Sequence, residues 1–113
     1  PEQFRNAKLI LAWGVNILGA NVHLWPFIVE ARRRGARFYT IDPVRTRTGQ
    51  LSDRHYFIHP GSDAALALGM MHVIVAEGLH DEDYVARYTT GCEALRDRLQ
   101  HYPPERAAAT ARR

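Results

Sequence analysis

The 113-residue chain has a single cysteine, Cys92, so it forms neither an internal disulfide nor a thiolate cluster around a metal. A lone thiol of this kind reads as a small packed residue in a reducing compartment rather than as a nucleophile. Lysine is as scarce: Lys8 is the one lysine among fifteen cations, and twelve acids leave a net charge of +3. The only basic run, Arg32-Arg33-Arg34, ends a helical pattern where cations complement the helix dipole, and no nucleic-acid partner is expected. No apolar run approaches the roughly 18–20 residues of a membrane span, and "PEQFRNAK" has no signal-peptide core. The expectation is a soluble protein without a membrane-spanning segment, with cytoplasm and periplasm both open.

Several nucleotide and metal signatures are also missing. Gly14 and Gly19 have the spacing of a P-loop, but Ala20-Asn21 stands where Lys and Ser or Thr must be, so no lysine reaches a phosphate. Asn16 occupies the second glycine position of G-x-G-x-x-G. A standard ATP or NAD site is therefore disfavoured. The six histidines give no HExxH or other close ligand set, and the chain is expected to carry no catalytic residue and no metal ligand of its own. Residue 1 is Pro, and "ERAAATARR" carries no recognisable end signal. The length and hydrophobic content fit one α/β domain over 1–113, and these ends suggest a fragment of a longer protein.

What is present alternates between the two main periods. "KLILAW" (8–13) is a short apolar run closed by Gly14 and predicts a strand buried on both faces. From Asn21 or His23 to Arg34, Leu24, Phe27, Ile28 and Ala31 recur at helical spacing, with Gly35 as the stop. "ARFYTID" predicts a second strand over 37–42 ended by Pro43, and "HYFIHP" a third over 55–59 ended by Pro60. Between them "PVRTRTGQLSDR" reads as a loop with one helical turn. "GSDAALALGMMHVIVAEG" predicts a helix starting at Ser62 or Asp63, with an apolar face through Leu66, Met70, Val73 and Ile74 and a stop at Gly78. "HDEDYVARYT" and "CEALRDRL" predict two short amphipathic helices broken at Thr90-Gly91, and Pro103-Pro104 precedes a last helical piece. Strand, helix, strand in this order predicts an α/β fold, a three-layer α/β/α Rossmann-like domain with a short parallel sheet.

In such sheets ligands bind beyond the carboxyl ends of the strands, and the unusual residues gather there. Gly14 lets the backbone turn sharply and lets a ligand approach the main chain. Asn16 tolerates unusual backbone angles and offers both a donor and an acceptor. Pro26 is harmless in the first turn of the following helix, whose free N–H groups suit a phosphate. Asp42 is placed either to accept from ribose hydroxyls or to form a simple Asp-Pro turn. Arg45, Thr46, Arg47 and Thr48 are donors to phosphate or base, or a solvated loop. At the third strand end, His59-Pro60-Gly61-Ser62-Asp63, Asp63 either caps a helix or accepts the two adjacent donors of a guanine edge, a pair that adenine lacks.

These three strand ends, with "WGVN" and "NVHLWPFIVEARRRGAR", then "IDPVRTRT", then "HPGSDAALALGMMHVIVAEGLHDEDYVARYTTG", resemble the molybdopterin oxidoreductases of the dimethyl sulfoxide reductase and formate dehydrogenase type. The resemblance runs from about Lys8 to Arg106. It implies part of a molybdopterin-dependent oxidoreductase, the α/β segment that holds one guanosine end of molybdopterin guanine dinucleotide. Gly14 and Asn16 would lie against the phosphates. Asp42, Pro43, Arg45 and Thr46 would meet the ribose and guanine, Asp63 would pair with the guanine, and Gly61 would be a further cofactor-binding residue. Molybdenum or tungsten would be held elsewhere in the parent chain, with a 4Fe-4S cluster also outside this segment. The parent's other domains, and electron-transfer subunits, would be its partners. Ile17 stands where such enzymes frequently have proline. The alternatives from the residues alone are a stand-alone nucleotide-binding or regulatory module and a basic nucleic-acid binder.

Overall fold

The computed structural model describes residues 1–111. They fall into two compact units, Pro1–Ile58 and the chain from His59 onward.

The first unit is built on a three-stranded parallel sheet in the order β1 (Leu9–Trp13), β2 (Arg37–Ile41), β3 (Arg54–Tyr56). Leu9 pairs with Arg37 and Trp13 with Ile41; Tyr39 pairs with Arg54 and Ile41 with Tyr56. The α/β class and the parallel sheet are those expected from the sequence, and the first two strands match to within a residue. The third is shorter and starts one residue earlier, because only Tyr39, Thr40 and Ile41 remain for it to pair with before Pro43 turns β2 away.

Helix α2 (Trp25–Arg33) covers one face of this sheet. Its Ile28 and Ala31 are fully buried against Ile10, Ala12 and Phe38, the inward residues of β1 and β2, with Trp25 edge-on to the Phe38 ring. Period two in the strands and period 3.6 in the helix thus meet on one surface. Pro26 lies in the first turn of α2 as expected, and Gly35 leaves the helix at φ 93°, a conformation that strains any side chain. The opposite face carries Leu9 and Leu11, both exposed, so among the described residues β1 is buried on one face and not on both as its apolar run predicts. Before β3, Asp53 ties the end of α2 to the sheet. Its Oδ2 accepts from Phe38 N at 2.8 Å, and its Oδ1 takes the Arg32 guanidinium at 2.6 Å. The Phe38 N–H above all holds this carboxyl below its ordinary pKa; burial opposes it, and Arg32 and then Arg37 add to the lowering.

The second unit is helical: α4 (Asp63–Ala76), α5 (Glu82–Tyr88), α6 (Cys92–Leu99) and α7 (Pro104–Ala111). Asp81 caps α5 by accepting from Tyr84 N at 2.9 Å, and Gly91 turns into α6 at φ 79°. The expected face of α4 is corrected. Met70 and Ile74 are exposed, and the buried position is Gly69, packed on Ala107 of α7. "ALALGMMHVIVA" is apolar nearly all round, so its period cannot choose a face. His72 Nδ1 donates to the Leu99 carbonyl at 2.7 Å and fixes α6 against α4. No helix among the described residues is long and apolar enough to cross a membrane.

Candidate functional site

The C-terminal ends of β1 and β2 are joined before any side chain is considered, since Gly14 N donates to Ile41 O at 2.9 Å. Gly14 then turns at φ 60°, and a Cβ built on it would meet nothing within 4 Å. Glycine is required there by backbone angle, and the open space leaves the main chain accessible to a ligand. The chain does not pass from this turn directly into α2. A separate four-residue turn, α1 (Ile17–Ala20), intervenes, followed by a 3-10 turn over Val22–Leu24. The free N–H groups of the Pro26 helix are thus separated from the Gly14 turn by these two short turns. The reason lies in Asn16, whose carbonyl accepts from Gly19 N at 2.9 Å and Ala20 N at 2.8 Å and closes a local turn. Gly19 permits it, because a Cβ there would lie 2.6 Å from Asn16 Nδ2. Ile17 is buried in the α2-side core and anchors α1, which is what an apolar residue contributes at that position.

The loop after β2 is shaped by its own short side chains. Asp42 Oδ1 accepts from Val44 N at 2.8 Å, the Asp-Pro turn that was one of its two sequence readings. Thr46 caps α3 (Arg47–Gln50), its Oγ1 accepting from Gly49 N at a long 3.4 Å. Thr48 is fully buried and links the two loops: its Oγ1 donates to Asn16 Oδ1 at 2.9 Å and accepts from Leu18 N at 3.1 Å. Beneath α3, Thr40 Oγ1 lies 2.7 Å from His55 Nδ1 and 3.0 Å from Ser52 Oγ, and Ser52 Oγ reaches Gly49 O at 2.8 Å. A side chain at Gly49 would put its Cβ 2.8 Å from His55 Nδ1, so glycine is needed there for close approach.

Of the residues singled out in the sequence, Gly14, Asn16, Asp42, Pro43, Arg45 and Thr46 therefore belong to two adjoining strand ends of the first unit. Arg45 is exposed on that rim, and the Asn16 side chain is held by Thr48. Gly61 and Asp63 belong to the second unit, where Gly61 turns at φ 83° and Asp63, exposed, is the first residue of α4. Ser62 rather than Asp63 holds the cap position, with its hydroxyl donating to His59 O at 2.6 Å. Sequence reasoning missed the particular part played by Thr48. The Thr46-x-Thr48 pair was visible, but nothing in one dimension tells that the second threonine points inward to residue 16.

A family model described as "Molybdopterin oxidoreductase" matches residues 2–107. The chain is 41% identical over 108 residues to "Probable oxidoreductase YoaE" of Bacillus subtilis (strain 168), a match covering 96% of this chain and 16% of that protein. It is 33% identical over 104 residues to formate dehydrogenase H of Escherichia coli (strain K12), covering 92% and 14%. Among solved structures, acetylene hydratase from Pelobacter acetylenicus superposes with a TM-score of 0.80 at 33% identity, over 92% of this chain and 14% of that one. The chain thus spans only 14–16% of the length of these relatives.

Proposed function

The chain belongs to the molybdopterin oxidoreductase family, and on that premise we propose that it is the segment of a larger enzyme that holds the guanosine and phosphate end of molybdopterin guanine dinucleotide. The observation that carries this reading is the Thr48 hydroxyl between Leu18 N and Asn16 Oδ1. Together with the buried Ile17 it makes a preformed rim of the two loops, and a preformed rim lowers the ordering cost of binding. The open, side-chain-free turn at Gly14 fits a pyrophosphate drawn close to the backbone. The exposed Arg45, in the loop after β2, supplies a charge-assisted donor for the same ligand. Asp42 has one carboxylate oxygen committed to Val44 N and offers the other to a ribose hydroxyl. In the second unit, Asp63 is the residue whose carboxylate matches the two parallel donors of a guanine edge.

When bound, the cofactor supplies a molybdenum or tungsten centre for two-electron chemistry; this segment binds and orients it. The protein groups that ligate the metal, the 4Fe-4S cluster and the electron-transfer partners belong, in this reading, to the rest of the parent. The test is calorimetric titration of GDP and ADP into the wild-type chain and into Asp63→Ala. GDP is expected to bind weakly and in preference to ADP. Because the paired charge-assisted hydrogen bonds to the base are lost, Asp63→Ala is expected to reduce the preference by roughly tenfold. Equal losses for both nucleotides would contradict the assignment of Asp63.

A further inference from the structure

The end of the first unit remote from Gly14 and Asp42 gathers cations that are far apart in sequence. A hollow of about 550 Å³ at the start of β2 is lined by Arg32, Arg33, Arg37 and Asp53 around Gly35 and Ala36. A second, of about 480 Å³, shares Gly35 and Ala36 and is lined by Arg5, Lys8 and Arg34. Six cations therefore ring one stretch of backbone, where the sequence alone displayed only the run of three. Two have internal duties: Arg32 holds Asp53 and the Leu51 carbonyl, and Arg34 holds Glu30 at 2.7 Å. Arg5, Lys8, Arg33 and Arg37 are exposed and form no ion pair among the described residues. Stabilising the end of α2 needs none of Arg5, Lys8 or Arg37, which lie on other elements. The collar is also separated from the Gly14 rim by the length of a five-residue strand, roughly 16 Å, so the cofactor reading does not use it.

We propose that this collar is a docking surface for a carboxylate-rich protein segment. Four exposed cations that form no close ion pair, over two hollows, give an electrostatic footprint that attracts and orients an acidic partner, even though Arg37 is also drawn to Asp53 and Arg5 to Glu2. The pairs Arg32–Asp53 and Arg34–Glu30 show guanidinium groups of this surface already taking carboxylates, the contact that acidic side chains of a partner would make. The lining of both hollows also contains no aromatic ring on which a base could stack.

The probe is a fluorescent oligoglutamate peptide, followed by anisotropy in the 113-residue chain. Binding is expected at low ionic strength and to weaken towards about 0.15 M salt. Arg33→Glu with Arg37→Glu is expected to weaken it roughly tenfold, since two exposed attractions become repulsions. Arg98→Glu, a reversal on exposed α6, is expected to leave it unchanged. If circular dichroism shows the double reversal to be unfolded, Arg33→Gln with Arg37→Gln replaces it, with a smaller loss expected. Saturating GDP is expected to leave peptide binding intact, which separates this surface from the nucleotide reading. Absence of binding, equal loss in Arg98→Glu, an unaltered double variant, displacement by GDP, or tighter binding of an RNA oligonucleotide at the same arginines would overturn the proposal.

Discussion

Thr48 is the residue on which the geometry of the first unit's rim turns. Valine in its place has nearly the same shape but leaves Leu18 N and Asn16 Oδ1 without their partner, at a cost of about 1–3 kcal/mol. Thr48→Val is therefore expected to lower the melting temperature and weaken GDP binding together, whereas Thr48→Ser, which keeps the hydroxyl, is expected to recover most of both. Equal damage from serine and valine would show that the methyl, not the hydrogen bond, matters there. Asp53 acts on the same scale with a different readout. Its carboxyl is held below its ordinary pKa chiefly by the Phe38 N–H, so its contribution to stability is present above the unfolded value and is lost as pH falls through the folded one. Wild type is expected to lose stability in the range below about pH 4. Asp53→Asn is expected to be roughly 1–2 kcal/mol less stable at neutral pH and to lose that part of the acid dependence, the exposed pair with Arg32 adding little. Denaturant unfolding across pH measures both; an unchanged acid limb in the variant would contradict this account.

At the scale of elements, the contact of α4 with α7 sets two effects against each other. Replacing Gly69 by alanine gains about 1 kcal/mol of helix propensity. However, the new Cβ collides with Ala107, and overpacking costs about 1–3 kcal/mol. Gly69→Ala is expected to be net destabilising, with Ala107→Gly in the same chain restoring most of the loss; a stabilised single variant would show that α7 yields. The same contact explains what the sequence could and could not tell. Strands β1 and β2 were legible because their apolar runs end in Gly14 and Pro43, and α2 because Ile28 and Ala31 recur with the helical period. The face of α4 was not, since a helix apolar on all sides carries no phase. The turn α1 was missed because four residues are too few to show a period, and its closure depends on Gly19 making room for the Asn16 side chain. The candidate site was legible as a set of turn residues at strand ends. The Thr48 link and the arginine collar were not, because they join residues about 30 apart in sequence.

At the scale of the whole molecule, the chain belongs to the family and covers only a short share of each relative, and in the function proposed above it is a cofactor-holding part rather than a complete catalyst. The metal-free chain is accordingly expected to show no oxidoreductase turnover, and its affinity for a nucleotide to be poor, because the pterin and the rest of the parent enzyme bury most of the ligand in the proposed assembly. The most direct measurement is NMR shift mapping of the 113-residue chain titrated with GDP and, in parallel, with ADP. The account predicts perturbations for GDP at residues 14–16, 42–46 and 48 in the first unit and at 61–63 in the second, with smaller changes for ADP. Identical responses to the two nucleotides, or shifts that avoid these residues, would contradict it.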